Sequence, residues 1–302
     1  MIELSFIEKN KINMFKNLFP KKVQTKISLY LASNRLVICL LEEGGIRLLA
    51  QTAVSSEAQW AQKFASVVNE HKLHHGQVSV VLSRDFYQTF DIEKPKVEEG
   101  ELMATLPFSI KDLVSESIFD LVVDYYDMPF QQHKGDQITA VCTPKKRVIN
   151  IRDMIFKQGM KLKEITTEEL ALTRLLGKSE EVNLLLSQQK NELVLTVVKE
   201  GQLFFSHRLR GFNELLAEPL GGFENALLDG LSLELQRALD YMNSQLRIAS
   251  ISHLYLAVVC PDLPLLAEQL SSYLAKKVVP FGETDQYDFT NILAYGPLME
   301  GK

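Results

Sequence analysis

Apolar and polar positions alternate in blocks along residues 182–210, VNLLLSQQKNELVLTVVKEGQLFFSHRLR. Three apolar runs of strand length, at 182–186, 193–198 and 202–208, are parted by polar turns at 187–192 and 199–201, which predicts a three-stranded antiparallel meander. The same order occurs at 26–53, where KISLYL, a turn at 32–35, LVICLL, a turn at 42–45 and IRLLAQTA follow one another. Leu36 corresponds to Leu193, Ile38 to Leu195 and Glu43-Gly44 to Glu200-Gly201, with the first turn expected to be shorter in the earlier copy. A meander at the head of each half predicts a duplicated α/β architecture.

Between the meanders the period changes. Trp60, Phe64, Val67 and Val68 recur at helical spacing, so 57–71 is an amphipathic helix. Runs at 78–82, 87–92, 119–127 and 137–142 read as strands, and Pro107 is expected to split 101–117 into two helical pieces. A helix at 148–156 is stopped by Gly159, and a Thr-x-Glu-Glu opening caps a helix at 167–176. The region 84–164 therefore reads as a subdomain inserted into a first half, 23–178. In the second half, 179–302, the longest helical signal is 223–246, interrupted at most near Gly230; it carries Leu231, Leu235, Leu239, Met242 and Leu246 on one face. A buried strand at 253–260, a helix at 265–275, an apolar run at 277–281 and a terminal run at 289–299 complete it. No Gly/Ser-rich linker separates the halves, so they are expected to pack across a cleft.

Residues 1–22 form a tail in which Met14, Phe15, Leu18 and Phe19 fall at one-turn spacing beside Lys16, Lys21 and Lys22. Each lysine near an anionic leaflet contributes about 1 kcal/mol, enough only for assisting membrane contact. A disordered tail fits equally well. Met14 also reads as a start, with 1–13 an upstream extension. At 302 residues and 46% apolar composition the chain has ample material for a core. A net charge of −5 provides no basic field for nucleic acid. Cys39, Cys142 and Cys260 lie singly in or beside apolar runs, as reduced core cysteines do. No run reaches the ~20 apolar residues of a membrane span, and a cytoplasmic location follows as the expectation.

Chemistry-bearing constellations are sparse. His71, His74 and His75 would share a helix face, but Gly76 ends that element and no further ligand follows, so no metal is expected. Ser206-His207 alternate across a strand, and no G-x-S-x-G elbow exists to make a nucleophile of a serine. Asp112, Asp120, Asp124 and Asp127 read either as charges protecting a strand edge or as a surface for a basic partner.

Taken in order, LPFSIKDLV at 106–114, LVVDYYDMP at 121–129, ITTEELALTRLL at 165–176, ALDYMNSQL at 238–246 and ILAYGPLM at 292–299 resemble the PilM group of type IV pilus assembly proteins. Within it the likeness is to the branch serving the mannose-sensitive haemagglutinin pilus. The cytoplasmic part of the type II secretion protein GspL is a more distant relative. The resemblance implies an actin-like fold, two ribonuclease H-like halves around a nucleotide cleft with a subdomain inserted in the first. It also implies a cytoplasmic adaptor, peripheral at the inner membrane, that binds the cytoplasmic N-terminus of a bitopic PilN-like protein and contacts assembly ATPases.

Active members of such a fold carry an Asp and glycines in each first hairpin turn, where backbone N–H groups approach phosphate. Here the turns hold Ser33, Asn34 and Arg35 in one copy and Ser187, Gln188 and Lys190 in the other, and Cys260-Pro261-Asp262 stands where a third glycine turn is expected. Micromolar MgATP binding needs about 8 kcal/mol, for which these vestigial turns offer little source. The expectation is therefore a non-enzymatic protein without a cofactor, at most binding ATP weakly. The partner peptide is expected in a groove between the first half and its insertion, lined by Phe108, Ile110, Leu113 and Tyr125. An ATP-binding switch of the same machinery, a component of a type II secretion-like platform and a self-assembling filament are the alternatives.

Overall fold

The computed structural model describes residues 25–129, 136–190, 192–217, 220, 226–248, 250–282 and 287–299. The tail at 1–22 and its membrane reading lie outside these residues. The first meander folds as β1 (Lys26–Leu31), β2 (Arg35–Glu42) and β3 (Gly45–Ala53). Helix α1 (Trp60–Glu70) then carries the chain over the sheet to β4 (Gln77–Leu82), which pairs parallel with β1, as a parallel neighbour requires.

Next comes a separate layer of β5 (Gln88–Glu93), α2 (Glu99–Ser109), β6 (Leu121–Asp127) and β7 (Gln137–Pro144), in which the strands form an antiparallel sheet of order β5-β7-β6. Pro107 lies inside α2 near its end, and the expected second helical piece is a series of turns instead. A proline near a helix C-terminus removes no more than one bond of the last turn, so it ends α2 without splitting it. Helix α3 (Lys145–Phe156), β8 (Lys161–Thr167) and α4 (Glu168–Leu175) follow. Since Ile151, Met154 and Ile155 of α3 pack on the first sheet and β8 pairs with β4, the insertion closes at Pro144, earlier than the expected boundary of 164.

The second meander is β9 (Asn183–Gln189), β10 (Glu192–Lys199) and β11 (Gln202–Arg210). It is followed by α5 (Asn213–Ala217), α6 (Ala226–Ser244), β12 (His253–Ala257), α7 (Leu263–Leu274), β13 (Val278–Pro280) and α8 (Ile292–Met299). Helix α6 runs through Gly230 unbroken. The two large sheets have matching orders, β3-β2-β1-β4-β8 and β11-β10-β9-β12-β13, each an antiparallel meander extended by parallel strands.

Register corrects one expectation. A single offset maps Leu31↔Leu36 onto Gln188↔Leu193 and Arg35↔Ala53 onto Glu192↔Arg210, so the first turns of the two copies are equal in length. Ser187, Gln188 and Gln189 are polar yet belong to β9, because the hairpin ladder continues through Gln189↔Glu192. Ser33 and Lys190 thus hold the same position in the two hairpins.

Side-chain alternation divides β1 and β2 between two cores. Ile27, Leu29, Leu31, Leu36 and Ile38 face α1 and α3, whereas Tyr30, Val37 and Cys39 face a larger core that includes the second sheet, α4 and α8. Every residue from Ile292 to Leu298 of α8 is buried there. The inserted layer has its own small core of Leu102, Leu106, Ile110, Leu121, Val123, Ile138, Ala140 and Cys142.

Candidate functional site

The two equivalent hairpin turns face each other across a cleft of about 410 Å³. Both reach the same atom. Ser33 donates its hydroxyl to Oδ2 of Asp85 at 2.8 Å, and the Lys190 ammonium pairs with that oxygen too. Asp85 stands just beyond β4 in a 3₁₀ turn, Arg84–Phe86. Burial alone would raise its carboxyl pKa, but the bonds from Lys190 and Ser33 outweigh this and hold it below the usual range.

Beneath this contact lies an ionic network. Thr167 caps α4 and starts the helix at two acidic residues, Glu168 and Glu169, as the helix dipole favours. Here both are buried. Tyr30 donates to Glu168 Oε1 at 2.9 Å; Tyr87 donates to Glu169 Oε2 at 2.5 Å and accepts the Glu168 N–H at 3.1 Å. Arg208 of β11 enters from the opposite side, 3.3 Å from Glu168 and 3.7 Å from Glu169, and also pairs with Glu192, which Arg210 reaches at 3.3 Å. Burial, helped by the neighbouring Glu169, raises the Glu168 pKa despite Arg208. Burial opposes the charge on Arg208, but Glu192 and Glu168 prevail and raise its pKa further. Chemically, the arrangement holds charge: its carboxylates are engaged by cations or phenols from the facing elements.

The turn residues named from sequence divide. Arg35, Gln188 and Lys190 line the cleft; Arg35 lies 5.6 Å over the Tyr30 ring and donates to the Thr290 carbonyl at 2.8 Å. Gln188 Oε1 accepts the Val259 N–H at 3.2 Å, tying the hairpin to the segment after β12. Asn34 is exposed and does not line the cleft. Ser187 is not a turn residue: it is fully buried inside β9, its hydroxyl 3.4 Å from the Val194 carbonyl. Asp262 accepts the Leu220 N–H at 2.9 Å. Sequence reasoning missed Asp85, Glu168, Glu169, Tyr30, Tyr87 and Arg208. Glu168-Glu169 had been legible only as a capped helix start.

A second recess, about 150 Å³, lies where the first sheet meets the inserted layer. It is lined by Asp85, Phe86 and Tyr87 from the segment after β4 and by Gln88, Glu116, Leu121, Cys142, Thr143 and Pro144 of the inserted layer. Arg147 braces it, donating to the Phe86 carbonyl at 2.8 Å and pairing with Glu57 at 2.7 Å. None of the four residues expected in such a groove lines it. Ile110 cannot, being fully buried in the insertion's own core; Phe108 and Leu113 are exposed elsewhere on the insertion. Tyr125 packs partly on that core with the Lys94 ammonium 5.3 Å over its ring. A larger cavity, about 590 Å³, separates the insertion's Thr89, Asp91 and Tyr126 from Phe204, Phe205 and Tyr241.

Among the described residues no three His, Cys, Asp or Glu side chains gather as a metal site, and no helix is long and apolar enough to cross a membrane. No protein-family model and no curated protein matches the chain. Solved structures do. The chain is similar to one described as the PilM-PilN type IV pilus biogenesis complex, with a TM-score of 0.59 and 16% identity over 90% of this chain and 94% of that one. It is also similar to the cytoplasmic domain of EpsL, an inner-membrane component of the type II secretion system of Vibrio cholerae, at TM-score 0.51 and 13% identity over 92% and 97% of the chains. A Bacteroides thetaiotaomicron protein of actin-like ATPase fold and unknown function gives 0.51 and 11% over 92% and 96%. The chain has an actin-like fold.

Proposed function

We propose that this chain is a nucleotide-independent adaptor of a type IV pilus assembly platform, working by binding a short segment of a membrane partner rather than by turnover. The observation that carries the reading is the state of the cleft. Its side chains bind one another, Lys190 and Ser33 on Asp85 and Arg208 on Glu168 and Glu192, so a nucleotide would have to displace contacts already made. The sequence resemblance to the PilM group and the fold shared with the PilM-PilN structure and the EpsL cytoplasmic domain support the setting. The finer assignment, to the mannose-sensitive haemagglutinin pilus and its protein MshI, rests on the sequence resemblance alone.

The partner in this reading is the cytoplasmic N-terminus of a PilN-like protein, which would hold the adaptor at the inner face of the membrane and bring it beside the assembly ATPase. The recess between the first sheet and the insertion is its seat, where the partly exposed Pro144 is available to an apolar side chain and the exposed Glu116 to a basic one. A second reading, an ATP-dependent switch, is favoured by one observation: Arg35, Arg84, Lys190, Arg208 and Arg210 all line the cleft. Calorimetric titration with MgATP, then with a peptide copying the cytoplasmic N-terminus of a PilN-type protein, decides. No heat with MgATP and saturation with peptide are expected. Saturable MgATP binding, or no peptide binding at high micromolar protein, overturns the adaptor reading.

A further inference from the structure

Five cationic side chains and three carboxylates, Asp85, Glu168 and Glu192, line the cleft. This cationic surplus sits in a chain whose net charge is −5, so it is a local feature and not an average one. Of the three acids, Glu168 is buried and Glu192 is held by Arg208 and Arg210 from its own sheet. Asp85 differs. Its side chain and that of Lys190 are each 41% exposed, and it alone bridges the two equivalent hairpin positions.

From this we infer that the Asp85 carboxylate is a built-in anion that occupies a phosphate-type site formed by Ser33 and Lys190, with Arg35 and Arg210 at its rim, and keeps that site closed to anions from solution. The physical basis is substitution of like for like. An aspartate carboxylate accepts a charge-assisted bond from an ammonium and a hydroxyl bond, as a phosphate oxygen does. Being covalently attached, it competes at an effective concentration in the millimolar range or above, so a free anion of similar intrinsic affinity is excluded. Lys190, with φ of +50°, sits at the tip of its hairpin, and its ammonium reaches across to Asp85. With the carboxylate gone, the same donors would be left facing solvent in a concave, positively charged site.

The inference rests on the reading that the native cleft takes no nucleotide, and its test separates the two. Inorganic tripolyphosphate, without magnesium, is titrated into the native protein, Asp85→Asn and Asp85→Asn/Lys190→Ala, each checked for a single cooperative melting transition and an unchanged circular dichroism spectrum. Asp85→Asn keeps the shape of the side chain, and the exposed position makes folding of the variant secure. Binding is expected to tighten at least about tenfold in Asp85→Asn and to return to the native level in the double variant. Equal affinity in native protein and Asp85→Asn, no binding in either, weaker binding in the single variant, or a gain that survives Lys190→Ala each overturns the assignment. Peptide binding by the native protein, read in parallel, reports on the adaptor reading independently.

Discussion

Gly296 of α8 lies so close to Ala171 of α4 that a Cβ placed on it would sit 2.0 Å from the Ala171 carbonyl oxygen and 2.7 Å from its carbonyl carbon. Backbone cannot yield as a flexible side chain does. Gly296→Ala is therefore expected to force α4 and α8 apart and cost about 1–3 kcal/mol or more, the range for overpacking. Thermal melting should show a fall of several degrees, whereas Gly100→Ala, inside α2 with open space around its Cβ, should not lower the melt.

Arg208 is the cation on which three carboxylates converge. Replacing it by Met keeps the aliphatic bulk and leaves Glu168, only 5% exposed, without its counterion. Breaking such a pair typically costs about 3–5 kcal/mol, and Arg208 is partly exposed, so the lower end is expected. Chemical denaturation of Arg208→Met measures it, and Arg208→Met/Glu168→Gln should recover much of the loss.

Acid sensitivity follows from Glu164, Glu192 and Asp85. Burial alone would raise the Glu164 pKa, but the forked pair from Arg174, at 2.8 and 2.7 Å, outweighs it and lowers the value. A lowered folded pKa stabilises above the unfolded value, about 4.3 for Glu, and the stabilisation is lost as the pH falls through the folded value. Glu168, raised, works the other way and costs stability as the pH rises through its folded pKa. Melting temperature should therefore drop steeply below about pH 4. Glu164→Gln should lower it near neutrality and converge with the native protein in acid.

The two possible peptide seats make opposite forecasts. Filling the recess between the first sheet and the insertion with Gln88→Trp should abolish binding of the PilN-type peptide. Phe108→Ser and Leu113→Ser change residues that are 56% and 50% exposed, so stability should stay within about 0.5 kcal/mol. Binding should persist in both; its loss in these variants alone would move the seat to the outer face of the insertion.

Much of the architecture was legible because it is local. Both meanders, α1 and the capped α4 show in hydrophobic period and turn chemistry within a few residues. The length of the second hairpin turn was not legible, since Ser187, Gln188 and Gln189 look like a turn and become strand only through the ladder to β10. Nor was the end of the insertion, because the packing of Ile151, Met154 and Ile155 on the first sheet is a fact of tertiary structure. Of the turn residues named from sequence, Arg35, Gln188 and Lys190 line the cleft and Ser33 bonds Asp85 at its centre. Its centre, Asp85, meets Ser33 across 52 positions and Lys190 across 105, and no motif announces a contact of that range.

The inward faces of β1 and β2 have a further consequence for how the chain comes to be folded. Tyr30, Val37 and Cys39 are made early in synthesis but share their core with Ile292, Leu293 and Tyr295, made some 250 residues later. Until Ile292–Met299 is made, that side of the first sheet lacks α8, and the part α8 would cover offers a nascent chain a sticky surface. That face is expected to need shielding until Ile292–Met299 has been made. A ribosome stalled just short of Ile292 should hold a chain that proteases cut within the first meander, and release of the last eight-residue helix should end that sensitivity.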